Sequence, residues 1–131
     1  TYPPFLLYGI ILNMEGSSLQ IQEELLLAKQ SRIEGNEGRA RVCARRAAGA
    51  AAQGYLLSAG FVERVENALE SLRTLKSELD LPGRVEKAID HLLLRVDEDH
   101  NLPPDVDLIL EAETVIQYIV SGEQDQLSPD S

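Results

Sequence analysis

Arg95 and His100, separated by four residues at a helix junction, have the types and spacing for phosphate chemistry. A histidine titrates near neutrality and can take a proton from a ribose 2′-hydroxyl. An always-charged arginine beside it can stabilise a phosphorane-like transition state. Such a pair suffices for RNA cleavage without a metal. The same residues also allow a plainer arrangement, a helix-end arginine bonded to nearby carboxylates and a histidine in an exposed loop.

Two further groups could carry chemistry. Arg39, Arg41, Arg45 and Arg46 crowd one short stretch. Arg41 and Arg45 are one turn apart on a helix and share a face. Guanidinium groups grip phosphate bidentately, so this pair is a candidate RNA or nucleotide contact. A solvated face pairing with acidic residues elsewhere in the chain is the alternative. The second group is acidic: Asp97, Asp99, His100, Asp105 and Asp107 supply oxygen and nitrogen donors around one connector. Their spacing matches no metal loop, so no metal site is assigned and no cofactor is expected. A glycine-rich phosphate loop, an HExxH helix and a cysteine pair are all missing from the sequence.

The elements that must position these residues read as helices. Ser17 or Ser18 can cap a first helix that runs to about Glu34, with Leu19, Leu26 and Ile33 on one face and Leu25 and Ala28 beside them. Gly35 suits its left-handed end. Asn36 can cap a second helix, about 37–59, rich in alanine, with Cys43, Gly49 and Gly54 within it. Small residues let another helix approach, and each glycine weakens a helix by about 1 kcal/mol against alanine. A third helix, about 61–79, carries the stripe Phe61, Val65, Ala68, Leu69, Leu72, Leu75 and Leu79. A fourth follows Pro82-Gly83 and runs to about Val96. After the acidic connector, Pro104 suits the first turn of a fifth, ending near Val120. The expected fold is therefore all-α, an antiparallel up-and-down bundle of four to five helices spanning 17–121. Residues 1–16 form an N-terminal extension or arm, and 122–131 read as a disordered acidic tail.

Composition narrows the function classes. The chain of 131 residues has a net charge of −10, which excludes coating nucleic acid by bulk electrostatics. All twelve basic residues fall within 1–95, where they balance twelve acids; 96–131 carry ten acids and no Lys or Arg. A local basic patch therefore remains open to the first three quarters of the chain. Cys43 is the only cysteine, which rules out an intramolecular disulfide and fits a reducing cytoplasm. The greasy run Phe5–Leu12 is too short to span a bilayer and lacks a basic flank, so no membrane partner is expected. Met14 stands just ahead of the first helix, which raises the expectation that 1–13 precede the native start.

Two segments resemble the HEPN domain, a family of small helical bundles. EGNEGRARVCARRAAGAAAQGYL (34–56) is similar to the family's opening helical pair, in which small residues recur after a short glycine-containing turn. RVDEDH (95–100) resembles its Arg-x4–6-His signature, followed by a short loop and a closing helix. The likeness spans roughly 19–120. It implies a metal-independent endoribonuclease acting across a homodimer face, of the kind that serves as a toxin beside a nucleotidyltransferase-type antitoxin. By position it makes Arg95 and His100 the catalytic pair; the basic face of the second helix then offers Arg41 and Arg45 to guide RNA. The alternative function is a non-catalytic helical interaction module forming a homodimer.

Overall fold

The structure, a computed structural model, describes residues 15–64, 67–94 and 105–127, the side chains of 15–18 and 122–127 excepted. Five helices fill these segments: α1 (Glu15–Ile33), α2 (Glu37–Ser58), α3 (Ala68–Glu78), α4 (Gly83–Leu93) and α5 (Leu108–Leu127). No strand occurs among the described residues. The protein is an all-α helical bundle, and none of its described helices is long and apolar enough to cross a membrane.

Local chemistry sets the two sharpest boundaries. At Gly35 the backbone turns left-handed, φ 83°. There Asn36 N–H bonds the Ser31 carbonyl at 2.8 Å and Gly35 N–H that of Arg32 at 3.0 Å. These two hydrogen bonds close the helix through a left-handed residue, a conformation glycine adopts without strain. Asn36 then accepts from Arg39 N–H at 3.0 Å and starts α2, a cap that stabilises a helix by about 1 kcal/mol. Gly60, φ 82°, ends α2 in the same manner, with Phe61 N–H on the Leu56 carbonyl at 2.9 Å.

α2 is the centre of the bundle, packed against α1, α3 and α5. Ala40, Cys43, Ala44, Ala48, Ala51, Ala52, Tyr55 and Leu56 are all buried in the core. Small side chains let the neighbouring backbones come close, and Gly49 marks such an approach to the start of α3. A Cβ built there would lie 2.4 Å from the Ala68 Cβ. Leu72 and Leu75 of α3, Val85, Ala88, Ile89 and Leu92 of α4, and Leu108, Ala112, Val115 and Ile119 of α5 complete the core.

Five boundaries and one face differ from the expectations above. The third helix begins at Ala68, not Phe61, because Asn67 caps it: its side chain accepts from Glu70 N–H at 2.8 Å, and its amide meets the Glu70 carboxylate in return. That reciprocal pair is an N-cap reinforced side chain to side chain, lying in the middle of the apolar stripe. Phe61 is instead exposed and stacks on Tyr55. The fifth helix starts at Leu108 rather than Pro104, because Asp107 accepts from Ile109 N–H at 3.0 Å. It runs on to Leu127, past Val120. In α1 the face bearing Leu19, Leu26 and Ile33 is turned to solvent, while Ile21, Leu25 and Ala28 pack inward. The fourth helix stops at Leu93, short of Val96, with Leu94 extended as its C-cap. The first begins at Glu15, so Ser17 and Ser18 lie inside it and Glu15 and Gly16 of the expected arm (1–16) belong to α1, while 122–127 of the expected tail (122–131) continue α5; residues 1–14 and 128–131 lie outside the described residues.

Candidate functional site

The end of α4 is where the described structure meets the candidate chemistry. Arg95, His100 and the acids Asp97, Glu98 and Asp99 lie outside the described residues. What the structure describes is their root, and that root is fixed from a distance. Arg45, in the middle of α2, sends its guanidinium across to α4. Its Nε donates to the Leu92 carbonyl and its Nη2 to the Leu94 carbonyl, both at 2.9 Å. These are last-turn carbonyls that no further turn of α4 satisfies, and they carry the negative end of the helix dipole. A cation placed there both completes the hydrogen bonding and sets the point at which the chain leaves the helix.

Arg45 is half-buried. Burial, and then the neighbouring charge of Arg41, pull its pKa below the usual arginine value, although an arginine keeps its proton in proteins. Arg41 stands one turn before Arg45 on α2. Arg41 stays on the half-exposed rim, with its Nε 3.8 Å from the Glu37 carboxylate. Arg39 and Arg46 are exposed, and Arg46 reaches Glu24 at 4.0 Å.

A second polar contact flanks the same helix end. His91 of α4 pairs through Nδ1 with the Glu111 carboxylate of α5. His91 stands one turn before Arg95 in sequence, so the His91–Glu111 pair and the Arg45 clamp hold the last turn of α4 from two sides. Neither contact could be read from local spacing: Arg45 and Leu92 are 47 residues apart, and His91 and Glu111 are 20.

Of the acidic donors, Asp107 is committed elsewhere. Besides capping α5, it accepts from Arg32 Nη1 through both carboxylate oxygens at 2.9 Å. Arg32 turns its other edge to Glu37, with Nε on Oε1 at 3.0 Å and Nη2 on Oε2 at 2.7 Å. One guanidinium thus ties the end of α1 to the starts of α2 and α5. The hydrogen bonds from Arg32 hold the Glu37 carboxyl below the usual carboxylate range. Among the described residues, no three His, Cys, Asp or Glu side chains gather as a metal site would require. Cys43 is buried, and burial raises its thiol pKa, which suits packing rather than nucleophilic chemistry.

No family model, no curated protein and no solved structure matches the chain.

Proposed function

We propose that the chain is a HEPN-like cytosolic protein that binds RNA and cleaves it without a metal, with Arg95 and His100 as the reacting pair. The observation that carries this reading is the Arg45 clamp. A half-buried guanidinium, whose desolvation is costly, is spent on fixing the end of α4, the residue before Arg95 in sequence included. In this reading His100 takes the proton from a ribose 2′-hydroxyl. The freed oxygen attacks the adjacent phosphorus, the bond to the 5′-oxygen breaks, and that oxygen takes up a proton from water, which leaves a 2′,3′-cyclic phosphate and a 5′-hydroxyl end. Arg95 stabilises the charge on the phosphoryl oxygens. Arg41, on the rim of the same face, guides the RNA backbone, and Arg45, with two donors committed to carbonyls, positions the site rather than touching RNA. The natural partners in this reading are a second copy and a nucleotidyltransferase-type antitoxin.

The test is RNA cleavage in the presence of a chelator by the wild type, Arg95→Ala and His100→Ala. Cleavage by the wild type alone is expected. Equal activity in all three proteins, or none in the wild type across varied RNAs, would sink the reading.

A second reading has its own support. The outward apolar face of α1 favours a non-catalytic interaction module. A partner retained by His100→Ala as well as by the wild type, with no RNA cleavage by either, would favour this reading over the first.

A further inference from the structure

The outer face of α1 has a symmetry of its own. Leu19 is 59 % exposed, Leu26 67 % and Ile33 86 %. They recur every seven residues, two turns of helix, so they form one stripe about 21 Å long at 1.5 Å rise per residue. Between them, also exposed, stand Gln22, Glu23, Lys29 and Gln30. Measured from Leu26, the pattern reads alike in both directions: a glutamine four residues away, a charged residue three away, a branched aliphatic seven away. The charge alone changes sign, Glu23 on one side and Lys29 on the other.

That pattern is self-complementary. Laid antiparallel on a second copy of α1, Leu26 meets its own counterpart at the two-fold axis and Leu19 comes level with Ile33. Each polar layer between them holds Glu23 and Gln22 from one copy and Lys29 and Gln30 from the other, so it is neutral and rich in amide donors and acceptors. A parallel pairing would instead put two glutamates in one layer and two lysines in the other. A closed dimer requires a patch that matches itself under a two-fold rotation, and this stripe does. Lys29 already touches Glu113 at 3.1 Å, but it is 54 % exposed, and so solvated a pair is readily shared with a second carboxylate.

We infer that the Leu19–Leu26–Ile33 face of α1 is the docking surface for a second copy of this chain, packed antiparallel about Leu26. The inference gives the homodimer of the proposed function a surface and a register, yet it stands on α1 alone. Its test reads association rather than RNA cleavage, so the two failures are told apart: a dimer without cleavage leaves this inference standing, whereas a monomeric wild type removes the dimer and leaves only the cleavage chemistry of the proposed function to be judged by its own assay.

The experiment is analytical ultracentrifugation of the full chain. The wild type should sediment as a dimer at micromolar concentration. Leu26→Lys, which sets two ammonium groups against each other on the axis, should weaken association at least about 100-fold while its dilute thermal unfolding stays that of the monomer. Glu23→Lys alone and Lys29→Glu alone should each weaken it about tenfold, because both polar layers then hold like charges. An equimolar mixture of those two variants should recover wild-type association as a heterodimer, which a variant that merely misfolds could not do. A monomeric wild type, a dimer indifferent to Leu26→Lys, or a mixture no tighter than its components would overturn the proposal. So would dimerisation seen only after removal of residues 1–12, which would give the stripe to the segment Phe5–Leu12.

Discussion

Replacing Gly49 with alanine sets two effects of opposite sign against each other, and the structure says which wins. In an open helix, glycine to alanine stabilises by about 1 kcal/mol, because the chain loses less backbone freedom on folding. At Gly49 the added carbon would lie 2.4 Å from the Ala68 Cβ, 2.5 Å from its Cα and 3.0 Å from its carbonyl oxygen. Comfortable carbon–carbon contact begins near about 3.5 Å, so α3 must retreat by roughly 1 Å at its first residue. The obstacle is backbone and a methyl group, neither of which can swing aside as a long side chain would. Overpacking of that kind costs about 1–3 kcal/mol, and contact with backbone places this site at the upper end. The expected net result is a loss of about 1–2 kcal/mol, or a midpoint lower by about 4–10 °C for a domain of this size. Gly38→Ala is the control. It lies in the first turn of α2, with its nearest neighbour at an ordinary 3.9 Å, and it should gain about 0.5 kcal/mol. Both are read from thermal unfolding at one fixed protein concentration. If Gly49→Ala stabilises the protein as Gly38→Ala does, the close approach of α2 and α3 is wrong.

The Arg45 clamp predicts that Arg45→Met, which keeps the apolar stem, loses about 2 kcal/mol through two charge-assisted hydrogen bonds. Amide exchange should quicken in the last turn of α4 above all; uniform acceleration across the chain would contradict a local clamp. The Arg32 bridge predicts an acid limb with a definite sign. The carboxyl of Glu37 sits below its ordinary value because Arg32 donates to it, so this pair's stability is complete above about pH 4.5 and is lost as the pH falls through the lowered pKa. Arg32→Met should therefore show a shallower loss of stability than the wild type between about pH 5 and 3 in urea titrations. Parallel acid limbs in the two proteins would refute the linkage.

The parts of the fold that were legible in the sequence are those governed by neighbours in the chain. Gly35, Asn36 and Gly60 act within a turn of themselves, and their roles follow from residue type alone. The start of α3 was equally local, yet the run from Phe61 to Leu79 hid it. An apolar period says which face is greasy but not where the hydrogen bonding begins, and Asn67 with Glu70 was the sign. In α1, leucines at 25, 26 and 27 make two apolar stripes, and only tertiary packing selects the inner one. The candidate site was legible in residue types and not in their duties. Arg45 was recognisable as a cation on Arg41's face. Its use on carbonyls 47 and 49 residues away depends on how α3 and α5 hold α4 within reach of α2, and no spacing within either helix encodes that.

The Arg32 bridge also orders events in time. Its contact with Glu37 spans five residues and can close as soon as the first turn between helices forms; its contact with Asp107 spans 75. Short loops close within tens of nanoseconds, whereas the distant partner must wait until three intervening helices have found their places. The same guanidinium is therefore an early staple for the α1–α2 hairpin and a late latch for α5. Until the latch shuts, the acidic last quarter of the chain is joined to the neutral body by covalent connection without this electrostatic one.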